Sequence, residues 1–245
     1  MRVVKADDYQ TWFIEEDNFS VLIDPWLDKK LNPHSSFFFQ RDRKESCCLS
    51  EEELNKVKAV IITAPFVDHL HLPSIKKLGR DVLIFTTFRA KKILSKKGIQ
   101  NKIICVKDRP IEIGPFKLLP YPSGFPYNWS SFCFYLENKQ GKRLFQESHI
   151  ADMNLLRRLN KSCNVALITI ESVKLFGILK LSMNLEKAIE VTALLGAKKL
   201  MATGTNPFLL EGLIRKILFI DSKQKDYFLE NGPKILYKSG DEVIL

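Results

Sequence analysis

The stretch that decides the fold is Ala59–His71, AVIITAPFVDHLH. It begins as a run of residues typical of a buried strand, breaks at Pro65 and ends in Asp68, His69 and His71. The chain has only four histidines, and two of them lie here beside an acid. Open α/β architectures place their chemistry at the carboxyl ends of strands. The stretch therefore predicts a candidate active site at the end of a strand.

The composition is that of an ordinary globular protein. The chain is 45% hydrophobic and 27% charged. Its length of 245 residues is enough for one sizeable core or two small domains. No apolar run approaches the roughly 18 residues of a membrane helix, and the N-terminus has no apolar core of signal-peptide length. We therefore expect a cytoplasmic protein. Five cysteines without repeated spacing predict reduced thiols rather than a disulfide scaffold.

The formal net charge of +10 has two interpretations. It favours an anionic partner, either nucleic acid or an anionic membrane surface. However, the basic residues are scattered in pairs over separate predicted elements, as on ordinary solvated helix faces. The sequence alone leaves both interpretations open.

The predicted elements alternate between strands and helices at both ends of the chain and form antiparallel strands in the middle. Strands are predicted at 2–4, 11–14, 20–24, 59–63, 81–86, 102–106, 111–113, 116–120, 131–137, 143–146, 165–170 and 200–203. Helices are predicted from the S-x-x-E capping box at 50–53 and at 72–78, 89–97, 154–159, 184–195 and 208–219. The long segment 27–48 is predicted to be a lid or substrate-facing loop. We see no linker and expect one domain over residues 1–245.

The predicted helix at 208–219 is apolar nearly all round. Such a helix is either buried between a sheet and a neighbouring helix or covered by a partner. It is therefore a candidate surface for a homo-oligomer.

Two further strand ends carry titratable side chains. Asp24 follows the predicted strand 20–24 and is either a site residue on the same rim as Asp68 or a turn aspartate before proline. Glu147 and His149 follow the strand 143–146. These residues are the remaining candidates for chemistry at the rim.

The run VLIDPWL at 21–27, followed by TAPFVDH at 63–69, resembles the metallo-β-lactamase superfamily, and most closely its lactonase-like and phospholipase-like hydrolases. The resemblance implies an α/β fold of the four-layer αββα sandwich type, with two mixed sheets flanked by helices. It also implies a small-molecule substrate with an ester, lactone or phosphodiester bond. A subgroup of the superfamily with an Asp-His-x-His-Leu stretch and a Glu-x-His strand end is similar to residues 68–72 and 147–149.

The superfamily signature, His-x-His-x-Asp-His, is degenerate in this chain. Its first two histidines fall on Ala64 and Phe66, and its Asp-His falls on Asp68 and His69. The resemblance places its third histidine near Phe125, its bridging aspartate at or beside His149 and its last histidine at Thr205. Because alanine and phenylalanine cannot bind a metal, one of the two usual metal sites is lost.

The resemblance implies that the second site survives in reduced form. Asp68, His69 and His149 would bind one divalent metal (zinc, iron or manganese), with Asp68 or Glu147 steering its hydroxide. Accessory roles fall to Asp24, His71 and Thr205.

Two other hypotheses remain open at this point. In one, the site is vestigial, no metal is bound, and the chain is a non-catalytic protein that binds an anionic partner. In the other, His69, Glu147 and His149 perform metal-free acid–base chemistry, which needs the three side chains within about 3–5 Å of one another.

Overall fold

The computed structural model describes residues 1–31, 40–42, 47–204, 210–221 and 233–245. In chain order the strands are β1 (Arg2–Lys5), β2 (Trp12–Glu16), β3 (Phe19–Ile23), β4 (Lys30–Leu31), β5 (Gln40–Asp42), β6 (Val57–Ile62), β7 (Leu83–Thr86), β8 (Ile103–Cys105), β9 (Ile111–Ile113), β10 (Phe116–Pro122), β11 (Phe132–Asn138), β12 (Arg143–Gln146), β13 (Val165–Thr169), β14 (Ser172–Leu175), β15 (Leu179–Lys180), β16 (Lys199–Thr203), β17 (Leu210–Glu211), β18 (Leu218–Asp221), β19 (Lys234–Leu236) and β20 (Glu242–Ile244). The helices are α1 (Glu51–Asn55), α2 (Leu72–Lys77), α3 (Phe88–Lys96), α4 (Met153–Leu159), α5 (Leu185–Leu194) and a 3₁₀ turn at Leu213–Lys216.

Two seven-stranded mixed sheets dominate the described part of the chain. The first has the order β20-β1-β2-β3-β6-β7-β8, and the second has the order β19-β16-β13-β12-β11-β10-β9. In each sheet an antiparallel set of strands adjoins a parallel set. The smaller sheets β15-β14-β18 and β17-β5-β4 lie outside these two.

The period-2 alternation of the central strands explains the layering. In β6, Ala59 and Ile61 belong to the core shared by both sheets, whereas Val60 and Ile62 pack with residues of α2 and α3. In β13, Leu167 lies in the shared core and Ile168 packs with residues of α4 and α5. Each sheet therefore has one face toward the other sheet and one toward helices, and the predicted αββα sandwich is confirmed.

Local signals in the sequence account for several boundaries. The predicted capping box is present, since the Ser50 hydroxyl accepts from the Glu53 amide at 3.2 Å and the Glu53 carboxylate accepts from the Ser50 amide at 3.0 Å. The turn between β2 and β3 places Asp17 and Asn18 at positive φ, as a tight hairpin requires.

None of the described helices is long and apolar enough to span a bilayer.

The predicted helix at 208–219 is wrong. Residues 205–209 lie outside the described part, and the rest forms β17, the 3₁₀ turn and β18. Gly212 has a φ of 91°, which no α-helix permits, and β18 instead pairs antiparallel with β14. The apolar helix proposed as an oligomer surface is therefore not formed. The predicted long loop at 27–48 lies largely outside the described residues.

Two glycines offer a test of how the sheets pack together. A Cβ on Gly114 would lie 2.5 Å from the ring of Phe19 on the opposite sheet, whereas a Cβ on Gly141 meets nothing within 4 Å. Both glycines have positive φ, so alanine introduces similar backbone strain at each. We expect Gly141→Ala to cost about 1 kcal/mol and Gly114→Ala about 1–3 kcal/mol more, because only the latter overpacks. Urea unfolding measures both, and equal losses would contradict the described contact.

Candidate functional site

The candidate site lies where the carboxyl ends of β3, β6 and β12 meet. Asp24 follows β3, Thr63 follows β6, and Glu147–His149 follows β12. The two sheets are joined here, because the Phe132 amide donates to the Thr63 carbonyl at 3.3 Å and Ser148 reaches the Thr63 hydroxyl. The predicted convergence of strand ends is thus what the structure shows.

A buried carboxylate holds His69 in place. Asp24 Oδ2 lies 2.8 Å from His69 Nδ1 and accepts from the Thr63 hydroxyl at 2.6 Å, while Asp24 Oδ1 accepts from the Thr63 amide at 2.7 Å. Ser148 Oγ in turn donates to Thr63 Oγ1 at 3.0 Å. All four residues are buried. The network links the first sheet to the second through buried hydrogen bonds.

The hydrogen-bond roles fix the tautomer of His69. An ionised carboxylate only accepts, so His69 Nδ1 must carry the proton that it shares with Asp24. Thr63 donates its single proton to Asp24 and accepts from Ser148, which leaves it no proton for the ring. In the neutral ring, therefore, Nε2 of His69 presents a lone pair. That atom is buried and has no hydrogen-bond partner among the described residues.

His149 faces His69 inside an aromatic enclosure. The two imidazole centroids lie 4.3 Å apart, the Tyr127 ring lies 4.4 Å from His149, and the Phe66 ring lies 5.6 Å from both Tyr127 and His149. Nε2 of His149 is likewise buried and unpartnered within the described chain. Phe66 thus forms one wall of this enclosure.

Burial and neighbouring charges shift the pKa values of His69, His149 and Glu147 in different directions. Burial lowers the pKa of His69, but the charges of Asp24 and Asp68 and the hydrogen bond to Asp24 outweigh it, so the pKa is raised from 6.5. Burial and the neighbouring His69 lower the pKa of His149 to about 3, which keeps it neutral. Burial raises the pKa of Glu147 to about 7, against the opposing hydrogen bond from the Thr169 amide at 3.0 Å.

Asp68 is held from the opposite side by the loop between β1 and β2. The Tyr9 hydroxyl donates to Asp68 Oδ2 at 3.0 Å, and the Gln10 amide group donates to the Asp68 carbonyl at 2.6 Å. Asp68 is partly buried and adds negative charge next to both histidines. Its side chain therefore acts on the site through its charge and through Tyr9.

The other predicted residues are placed differently. Asp24 is brought to His69, whereas His71 contacts Ser74 at 2.7 Å and the ring of Trp26 at 6.3 Å, in a separate cluster beside α2. Thr205 lies outside the described residues. Phe125, near which the third histidine was expected, is 74% exposed. The accessory roles of Asp24, His71 and Thr205 remain predictions.

Two site residues adopt a strained backbone. Asp24 has a φ of 45° and His149 a φ of 79°, a region that non-glycine residues rarely occupy. Such strain persists only where surrounding contacts enforce it, and it concentrates at functional sites. Here the enforcing contacts are those of Asp24 with Thr63 and of the His149 carbonyl, which accepts from the Met183 amide at 3.1 Å.

The donors present match a metal in kind but not in number. His69 Nε2, His149 Nε2 and Glu147 Oε1 are buried without a partner, and such nitrogens and oxygens suit zinc, iron or manganese. Within the described residues, however, no three His, Cys, Asp or Glu side chains are grouped so as to hold an ion. The predicted set Asp68, His69 and His149 therefore stays a prediction, and no chemical step below is assigned to a metal.

Sequence reasoning missed Thr63, Ser148, Tyr9 and Tyr127 as site residues. Thr63 was treated as the last residue of a strand, although a hydroxyl directly after a buried apolar run is a usable signal. Tyr9 lies on a loop far along the chain from its partner Asp68, and Tyr127 lies on a different loop from its partner His149, so no local pattern marks either contact.

The buried Glu147 should make stability depend on pH. Its pKa of about 7 exceeds the unfolded value of 4.5, so the unfolded chain loses this proton first and stability falls as pH rises from about 4.5 to 7. Glu147→Gln removes that loss, and we expect it to be up to about 3 kcal/mol more stable than the wild type at pH 8 and similar at pH 4. Urea unfolding at both pH values measures this, with the exposed Glu112→Gln as control. A pH-independent difference would show that Glu147 is not the titrating group.

Comparison with known proteins supports the fold described above. A family model described as a beta-lactamase superfamily domain matches residues 20–204, about three quarters of the chain. No curated protein matches the chain.

Solved structures with this fold cover almost the whole chain. They include a possible metal-dependent hydrolase from Veillonella parvula (15% identity, TM-score 0.76, covering 100% of this chain and 99% of that one), an isothiocyanate hydrolase from Delia radicum gut bacteria (17%, 0.76, 100% and 99%) and the metallo-beta-lactamase fold protein YhfI from Bacillus subtilis (15%, 0.68, 99% and 99%). At these identities the likeness shows the fold alone. With the family model, it establishes that the chain belongs to the metallo-β-lactamase superfamily.

Proposed function

We propose that this chain is a hydrolase of small-molecule esters, lactones or phosphodiesters in which His69 is the general base. The observation that carries the proposal is the pairing of His69 Nδ1 with Asp24 while Nε2 is left buried and without a partner. A histidine whose ring is oriented by a buried carboxylate, and whose imidazolium that carboxylate stabilises, is suited to removing a proton from water. Structural neighbours described as a possible metal-dependent hydrolase and as an isothiocyanate hydrolase support hydrolysis as the reaction class.

The proposed steps use only side chains of this chain. His69 Nε2 takes a proton from water, the hydroxide attacks the carbonyl carbon or phosphorus, and Asp24 stabilises the imidazolium that forms. Glu147, whose pKa is about 7, donates its proton to the departing oxygen as the ester bond breaks. Neutral His149 orients the water or substrate by hydrogen bonding. The proton on His69 then passes through solvent to restore Glu147.

A metal-dependent version of this hydrolase is the second candidate. The observation that favours it is the pair of buried imidazole nitrogens without partners, Nε2 of His69 and Nε2 of His149, on rings whose centroids lie 4.3 Å apart. A bound divalent metal would supply a water whose pKa is lowered toward neutrality. The two candidates differ in what a chelator does to activity.

Asp24→Asn tests the base directly. The asparagine can still accept from the Thr63 amide but cannot stabilise an imidazolium, so we expect kcat to fall by about 100-fold or more. The kcat of the His69→Gln variant should fall at least as far. The His71→Gln variant should retain activity, because His71 lies in the same stretch but has other contacts. The assay uses 4-nitrophenyl acetate, γ-butyrolactone and bis(4-nitrophenyl) phosphate, with thermal melts to confirm folding.

The controls separate the candidates. The metal-free proposal expects activity to persist in EDTA with substoichiometric metal by elemental analysis, and the metal-dependent one expects stoichiometric metal and loss on chelation. If folded wild-type protein hydrolyses none of the three substrates with or without added zinc, iron or manganese, the hydrolase proposal fails and the non-catalytic hypothesis replaces it.

A further inference from the structure

An exposed hairpin projects beside the site. It is formed by β14 and β15, residues 172–180, and is called here the tip hairpin. Phe176 is 63% exposed and Ile178 86% exposed at its turn, and Phe219 on the adjoining β18 is 57% exposed. Gly177 lies against Phe219, because a Cβ on it would approach that ring at 3.9 Å. The hairpin and β18 together expose an apolar patch.

Cations flank the apolar turn on both sides. Lys174 and Lys180 are directly opposite one another across the hairpin, and Arg215 and Lys216 are exposed on the 3₁₀ turn that precedes β18. Like charges at opposed positions destabilise a strand pair. An anionic surface placed against the turn would relieve that repulsion.

The combination of apolar tip and flanking cations favours a lipid surface over other partners. Side chains such as Ile178 fit the acyl boundary, while lysine stems reach the headgroups from the edge of the inserted patch. In a symmetric contact with a second copy, the same cations would face one another. Nucleic acid binds cations and aromatic faces but gains little from an exposed aliphatic turn.

The tip hairpin is anchored at the candidate site at both ends. Before it, the Thr169 amide donates to the Glu147 carboxylate at 3.0 Å; after it, the Met183 amide donates to the His149 carbonyl at 3.1 Å. The base of the tip hairpin is therefore attached to the segment that carries Glu147 and His149.

We propose that the tip hairpin docks this protein on an anionic lipid surface, with Phe176 and Ile178 inserted at the headgroup boundary and Lys174 and Lys180 bound to anionic headgroups. The proposal does not depend on catalysis, and its test measures binding alone.

The test is flotation of the full chain with phosphatidylcholine vesicles, with and without 30 mol% (about one third) phosphatidylserine, at low and high salt. We expect binding only to the anionic vesicles, with a fall on adding salt because headgroup charge is screened. Phe176→Ser with Ile178→Ser should weaken binding about tenfold or more, since it removes the inserted apolar surface. Lys174→Gln with Lys180→Gln should weaken it by a similar factor.

Matched controls lie elsewhere on the chain. Lys96→Gln with Lys97→Gln removes the same charge from exposed positions of α3 and its end, and Trp129→Ser removes a side chain that is 84% exposed near the site. Both should leave binding unchanged. Sedimentation velocity without vesicles tests the second copy as the occupant. The proposal is overturned by absent vesicle binding, by equal losses in the controls, or by a dimer that the Phe176→Ser/Ile178→Ser variant dissociates.

Discussion

The contact between Asp24 and His69 is the constraint on which the rest of the site depends. A carboxylate buried at the centre of a sandwich is costly unless it is hydrogen-bonded on both oxygens. Thr63 supplies two of those bonds and His69 the third. Because the three residues leave different strand ends or loops, this carboxylate fixes how β3, β6 and the following loop meet.

That constraint also joins the two sheets. Ser148, at the end of the second sheet, donates to Thr63 and so belongs to the same network as Asp24. The neighbouring His149 is thereby placed against His69 in a strained backbone conformation. The aromatic rings of Phe66 and Tyr127 close the space around the two imidazoles. The result is a buried enclosure in which neither Nε2 has a protein partner among the described residues.

The chain keeps the superfamily fold and places apolar side chains beside the candidate site. Ala64 is fully buried, and Phe66 packs against the rings of His69 and His149. Burial there stabilises the sandwich and lowers the local polarity, which in turn sets the pKa values of Glu147 and His149. The site therefore combines groups whose pKa values are shifted in different directions by burial and by neighbouring charges.

Much of the fold could be predicted from the sequence, because its signals are local. The apolar alternation of β6, the capping box at Ser50 and the turn at Asp17 each need only a few neighbouring residues. The helix predicted at 208–219 is wrong because the apolar pattern alone takes no account of Gly212 or of the competing pairing of β18 with β14. A period of 3.6 in a short apolar run does not decide between helix and strand.

The site could be predicted only in part, for the same reason. Asp68, His69, Glu147 and His149 were found because each stands directly at or just after a strand end. The partners that define their chemistry come from distant loops, and the tautomer of His69 depends on the joint geometry of Asp24, Thr63 and Ser148. These contacts form only in the folded chain, so no local sequence pattern predicts them.

The central claim is that Asp24 holds His69 as an Nδ1-protonated ring with a raised pKa. Nitrogen-15 NMR of histidine-labelled protein measures the tautomer and pKa of each ring directly, with His69→Gln and His149→Gln used for assignment. We expect His69 to carry its proton on Nδ1 and to titrate above 6.5, and His149 to stay neutral down to low pH. A His69 protonated on Nε2, with a pKa below 6.5, would contradict it.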